Sequence, residues 1–169
     1  PINEFPYDQL INENARRSNK GSEYAIIDTQ IFNNNEYFDI FIEYAKATQD
    51  DFLIKVTAVN RSTKKAPLVI LPTLWFRNNW SWGYDRYHPK LKSSANGIID
   101  IEHEKNSMKK LYAKDQNTQI FFCDNETNAP KLFNTPSESQ FFKDGINDYL
   151  VNGKASAINP EKTGTKASF

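Results

Sequence analysis

Two stretches of this chain alternate apolar and polar side chains with a period of two, and no other feature restricts its fold so strongly. In residues 36–44, Phe38, Ile40, Ile42 and Tyr44 share one face, with Asp39 and Glu43 on the other. In residues 51–60, Phe52, Ile54, Val56 and Ala58 alternate with Lys55 and Thr57. A helix would scatter these apolar groups around its circumference, whereas a strand collects them on one side. The pattern predicts two half-buried antiparallel strands joined across Thr48-Gln49-Asp50.

The rest of the chain continues that theme. A third strand is expected over 66–76, where Pro67 and Pro72 cannot donate to a ladder and confine part of it to an edge or a bulge. Shorter strands are expected over 23–27, 97–103, 108–113 and 118–123, which makes about seven in all. Burying one face of each predicts a mainly β chain: an antiparallel β-sandwich with short flanking helices, as one domain over residues 1–169. The first helix is expected over 6–17, with Pro6 at its first position, Asp8 in its first turn and Arg16 and Arg17 in its last. A second is expected where Phe141, Phe142, Ile146, Tyr149 and Leu150 recur at helical spacing, ending near Asn152-Gly153. Residues 124–140, with Pro130 and Pro136 and no period, read as a long loop.

Composition narrows the partners. Aromatic residues make up 14% of the chain, which argues for ordered, aromatic-packed structure despite a mean hydropathy of -0.70. The 21 basic and 21 acidic side chains cancel, so there is no concentrated positive field to draw nucleic acid or an anionic membrane. Neither is expected as a partner, and no apolar stretch approaches the roughly 20 residues of a membrane helix. Cys123, the single cysteine, lies in the apolar run Ile120-Phe121-Phe122-Cys123 and reads as a small buried hydrophobe rather than a reactive thiol. The chain begins at Pro1 and ends at Ala167-Ser168-Phe169; both ends read as boundaries within a longer protein, which leaves cytoplasmic and periplasmic locations equally open.

The most unusual segment is Leu74-Trp75-Phe76-Arg77-Asn78-Asn79-Trp80-Ser81-Trp82-Gly83-Tyr84, which contains all three tryptophans of the chain. Flat indoles pack on the C–H faces of sugar rings, and Arg and Asn side chains supply donors and acceptors for hydroxyls. Trp75, Trp80 and Trp82 are therefore candidate stacking residues, with Arg77, Asn78 and Asn79 as their polar complement. The same indoles would equally serve to close a core or seal an interface between domains. A second polar cluster, Asp124-Asn125-Glu126-Thr127-Asn128, follows an apolar strand. Asp124, Glu126 and Asn128 are candidates for binding sugar hydroxyls or a cation; the alternative is local turn chemistry, with Asx side chains bonding to nearby backbone.

The signs of catalysis are negative. Asp144 and Asp148 lie four apart, on one helix face, whereas a glycosidase pair must straddle the scissile bond. His88 and His103 have no metal-ligand pattern around them and read as surface or packing histidines. No Gly-x-Ser-x-Gly elbow and no phosphate-cradling glycine loop is present. No catalytic residue, metal site or cofactor is expected within these residues.

The chain nevertheless resembles the N-terminal region of bacterial and archaeal proteins related to glycoside hydrolase family 63, the mannosyl-oligosaccharide glucosidase group. The stretches that carry the resemblance are Tyr37-Phe38-Asp39-Ile40-Phe41-Ile42-Glu43-Tyr44-Ala45-Lys46-Ala47 and Leu71-Pro72-Thr73-Leu74-Trp75-Phe76-Arg77-Asn78-Asn79-Trp80-Ser81-Trp82-Gly83. Weaker matches follow at Asn125-Glu126-Thr127-Asn128 with Leu132-Phe133, Lys143-Asp144 with Asp148-Tyr149, and Asn159-Pro160 with Gly164-Thr165-Lys166-Ala167. The resemblance implies a β-sandwich packed on a C-terminal (α/α)6 barrel of the same chain, with inverting hydrolysis of α-linked glucosides or related sugars by carboxylates on that barrel. No position here matches the barrel. The expected role is thus a non-catalytic N-terminal domain that supports the barrel, with carbohydrate as ligand; a free-standing carbohydrate-binding module and a purely structural interaction domain are the alternatives.

Overall fold

The computed structural model describes residues 1–169. The chain divides into two compact units, Pro1–Val69 and Ile70–Phe169.

In the first unit, helix α1 spans Tyr7–Arg16, with Pro6 capping it rather than opening it. Asn14 secures the return of the chain: its amide nitrogen donates to the Tyr24 carbonyl at 2.9 Å, and its oxygen accepts from the Tyr24 N–H at 2.8 Å. The strand expected over 23–27 does not form. Asp28 accepts from the Ala25 N–H at 2.8 Å and the Thr29 hydroxyl donates to the Ile26 carbonyl at 2.6 Å, which favours a 3-10 turn over Ile26–Thr29. Short polar side chains bonding to their own backbone outcompete a ladder there.

Strands β1 (Phe38–Lys46) and β2 (Phe52–Asn60) pair antiparallel as expected, with Ile40 opposite Ala58, Ile42 opposite Val56 and Tyr44 opposite Ile54. The other face carries the Lys55–Glu43 pair at 3.1 Å, and Arg61 meets Asp39 at 2.6 Å. The expectation that these strands are half-buried is corrected. They form a two-stranded sheet of their own, and Ile40, Ile42, Tyr44, Phe52 and Ile54 on the apolar face are 45% to 72% exposed. Period-two patterning sets which face is apolar; it does not supply the layer that would cover it.

The second unit is a mainly antiparallel β structure with two short helices. Its strands are β3 (Thr73–Trp75), β4 (Lys90–Ala95), β5 (Ile98–His103), β6 (Asn106–Tyr112), β7 (Phe121–Cys123), β8 (Thr163–Gly164) and β9 (Lys166–Ser168). They form a three-stranded sheet in the order β3-β9-β7 and a four-stranded sheet in the order β6-β5-β4-β8. Leu91 and Ile99 from the larger sheet meet Phe122 and Ala167 from the smaller one, with Phe169 completing a shared core. Two antiparallel sheets enclosing one core make a small sandwich, as the patterning predicts.

Strand β7 shows why its sequence is apolar without alternation. Phe122 faces the shared core, while Phe121 and Cys123 face a second cluster with Ile146 of helix α3 (Gly145–Asn152). A strand buried on both faces has no polar side to show. The third expected strand shrinks to Thr73–Trp75, downstream of Pro72. Helix α3 starts later than its apolar spacing suggests, because the Gly145 N–H closes a turn onto the Phe142 carbonyl at 2.8 Å. It ends at Gly153, whose φ of +66° is the left-handed cap expected there. The 124–140 loop contains one helical turn, α2 (Ala129–Phe133), begun by Asn128, whose side chain accepts from the Lys131 N–H at 3.2 Å.

Cys123 is 0% exposed, and that burial pushes its thiol up to about 11. The charged form is the one that burial disfavours, so an ordinary thiol near 9.0 has about a hundredfold more thiolate at neutral pH. Maleimide labelling at pH 8 is therefore expected to leave the native chain unmodified and to reach one equivalent in denaturant. Prompt labelling of the native chain would contradict the burial. The linkage has the matching sign: stability supplied by the protonated thiol is complete below the unfolded value and is lost as pH rises through about 11.

Candidate functional site

All elements of the candidate site belong to the second unit. After β3 the backbone leaves the sheet and makes a tight turn over residues 78–84. The Asn78 side-chain oxygen accepts from the Ser81 N–H at 3.0 Å, the Gly83 N–H returns to the Trp80 carbonyl at 3.0 Å, and the Tyr84 N–H returns to the Asn79 carbonyl at 3.1 Å. Gly83 has φ +75°, a left-handed conformation that explains glycine at this position.

The residues after β7 meet this turn. Asn125 donates from its side chain to the Phe76 carbonyl at 2.8 Å and from its backbone to the Thr165 hydroxyl at 2.7 Å. Its own carbonyl accepts from the Asn78 side chain at 2.8 Å. Glu126 accepts from the Trp80 indole N–H with one carboxylate oxygen and from the Ser81 hydroxyl with the other. Asp124 accepts from the Thr165 N–H at 3.2 Å and from the Ser139 hydroxyl at 3.1 Å. These bonds join segments about 40 residues or more apart, except that from Ser139. The polar cluster therefore serves long-range packing, where local turn chemistry was the alternative expectation; only Asn128 follows the local pattern.

Between the turn and the 124–143 segment lies a cleft of about 770 Å³. Trp80 is buried on its lining, its ring 5.2 Å from that of His88. Trp82 lies on the lining with its indole 76% exposed, 6.1 Å edge-on from Tyr84. Asp124, Glu126, Glu138 and Lys143 bring three carboxylates and one ammonium to the lining. Lys143 donates to the Thr127 hydroxyl at 3.0 Å.

Of the residues singled out in the sequence, the structure brings Asn78, Trp80, Trp82, Asp124 and Glu126 to this cleft. Trp75 and Arg77 are exposed but lie outside its lining. Asn128 turns to a second depression, where its amide donates to Asp144 at 3.2 Å and Lys131 meets Asp144 at 3.1 Å and Asp148 at 3.7 Å. Burial works to raise the Asp144 carboxyl, but the hydrogen bonds from Lys131 and Asn128 outweigh it and hold the group below its ordinary value. Asp144 and Asp148 thus share a cation that ties α2 to α3. His103 packs between Phe76 and Tyr87 at ring distances of 5.5 and 5.6 Å. Ser81, Lys143 and Thr165 also belong to the cleft; the sequence shows them only within the stretches that carry the resemblance and gives them no role, because their partners are distant along the chain, and Ser139 carried no signal at all.

No family model matches the chain, and no solved structure matches it. It is similar to the uncharacterized protein YMR196W of Saccharomyces cerevisiae, at 30% identity over 197 aligned positions that take in 96% of this chain and 18% of the yeast protein. The chain therefore spans less than a fifth of the length of the curated relative it matches.

Proposed function

We propose that this chain is a non-catalytic, mainly β part of a longer carbohydrate-processing enzyme of the glycoside hydrolase family 63 type, and that its cleft contacts a neutral sugar. The observation that carries the reading is Trp82: a large apolar ring left 76% exposed on the lining of a cleft rich in hydroxyl and carboxylate groups. Exposing an indole costs burial energy, and an apolar platform beside hydrogen-bonding groups suits a ring with one C–H face and a rim of hydroxyls. The excess of carboxylates over ammonium on the lining disfavours anionic ligands such as phosphates or uronates. The exposed apolar face of β1 and β2 and the much greater length of the yeast relative support a setting within a longer protein.

Titration of the chain with maltotriose and with α-mannobiose, followed by tryptophan fluorescence, tests the reading. A saturable change is expected with at least one of them, and Trp82→Ala is expected to weaken it about tenfold, the scale of one lost aromatic platform. Absence of any titration would sink the sugar reading and leave a structural domain. Hydrolysis of α-linked sugars is expected from the longer protein and not from these residues alone; release of sugar by this chain would move the chemistry to Asp124 and Glu126.

A further inference from the structure

Glu126 is on the cleft lining, yet both of its carboxylate oxygens are already engaged, one by the Trp80 indole N–H and one by the Ser81 hydroxyl. We propose that Glu126 is a positioning residue that latches the 78–84 turn and thereby holds Trp82 at the cleft, a role that deepens, and rests on, the sugar-contacting reading above.

Trp82 has little packing to hold it in place. Its indole is 76% exposed, and its aromatic neighbour Tyr84 is itself 80% exposed, so packing does little to orient it. Its direction follows from the backbone of the turn, and the two residues that Glu126 grips immediately precede it. The bonds of the Ser81, Gly83 and Tyr84 N–H groups shape the turn internally, and the Asn78 side chain anchors its start to the Asn125 carbonyl at 2.8 Å. Glu126 ties the middle of the turn, at the two residues before Trp82, to the sandwich, because Glu126 is fixed from behind: its carbonyl accepts from the Lys143 N–H at 3.0 Å, and its neighbour Asn125 is bonded to Phe76 and Thr165. A carboxylate is the side chain this task requires. Two donors converge on it, and an ionised carboxylate offers two acceptors, whereas glutamine offers one acceptor and one donor. With glutamine, the Ser81 oxygen, which already accepts from Asn78 at 2.8 Å, would receive a second donor and its own proton would lose its partner.

The test combines a motional readout with a double-mutant cycle in the full chain. In Glu126→Ala, the heteronuclear NOE of the Trp82 indole nitrogen is expected to fall toward flexible values. Affinity for whichever of maltotriose and α-mannobiose titrates the parent chain is expected to drop about tenfold. Glu126→Gln, which keeps one acceptor, is expected to lie between, and it decides the matter by the same readouts if the alanine variant does not fold. The double variant with Trp82→Ala is expected to bind no more weakly than Trp82→Ala alone, because a residue acting through Trp82 adds nothing once Trp82 is gone. Losses that multiply in the double variant would make Glu126 a direct sugar ligand and overturn the positioning role. An unchanged Trp82 NOE would overturn it too. If neither sugar titrates the parent chain while the NOE still falls in Glu126→Ala, the latch stands and the sugar reading of the cleft fails.

Discussion

Phe122→Ala is expected to destabilise the sandwich by about 3–5 kcal/mol, the largest loss from any single truncation in its shared core. Phe122 is 1% exposed and is the largest fully buried side chain of the molecule. Its ring lies among Leu91 and Ile99 of the larger sheet and Ala167 and Phe169 beside it. Leu91 and Ile99 are held by the β4–β5 ladder, with Leu91 opposite Ile101 and Ser93 opposite Ile99, so they cannot simply move into the vacated space. The backbone on the other side is fixed as well, since the Phe122 carbonyl accepts from the Asn159 N–H at 2.8 Å. The loss is therefore the transfer term plus a cavity that persists. Against domain stabilities of about 5–15 kcal/mol, it would remove a large part of the total. Urea denaturation followed by circular dichroism measures it, with Phe133→Ala, at an exposed position, as the control expected to stay within about 0.5 kcal/mol. A loss below about 1 kcal/mol for Phe122→Ala would mean that the two sheets do not share one core.

The same residues show how much of this molecule can be read before folding it. The alternation in β1 and β2 is local information, and it yields both strands to within about two residues at each end. The run ending in Cys123 is also local, although its meaning, a strand buried on both faces, becomes visible only when α3 is placed against it. Strand β4, Lys-Leu-Lys-Ser-Ser-Ala, has one large apolar residue and no β-branched one, so pairing with β5 and β8 makes it a strand where its own propensity does not. Strands β8 and β9 are shorter still; β9 is central in its sheet only because β3 and β7 flank it. The cleft divides in the same way. Its tryptophans and its acidic cluster stand out by composition, but that Glu126 grips Trp80 and Ser81 is a contact across about 45 residues, which no local pattern encodes. Trp75 shares the composition of the segment and not its geometry: it sits on β3, opposite Lys166, and away from the cleft.

Gly164→Ala is expected to have the second large effect, about 3 kcal/mol or more, and to reach the cleft as well as the core. The reason is space and not conformation. A Cβ at this position would lie 2.3 Å from the Cys123 carbonyl oxygen and 2.9 Å from its carbon, distances that no rotamer can relieve because both partners are backbone. Gly164 pairs with Leu91 on one side, so β8 cannot back away from β7 without pulling on β4. Overpacking typically costs about 1–3 kcal/mol, and a clash held from both sides belongs at or above the top of that range. Gly83→Ala separates the two ways in which glycine can be required. There φ is +75° but nothing lies within 4 Å of the added carbon, so only the left-handed backbone is penalised, at about 1–2 kcal/mol, and the fold should survive. The consequence for the site follows from the next residue. Thr165 donates from its backbone to Asp124 at 3.2 Å and accepts from Asn125 at 2.7 Å, so moving β8 shifts the segment that carries Glu126. Thermal melts of the two variants, read with the indole N–H resonance of Trp80, check both claims. Gly164→Ala should lower the midpoint well beyond Gly83→Ala and displace that resonance. A Gly164→Ala variant that melts like the parent chain would show that β7 and β8 lie further apart than this packing requires.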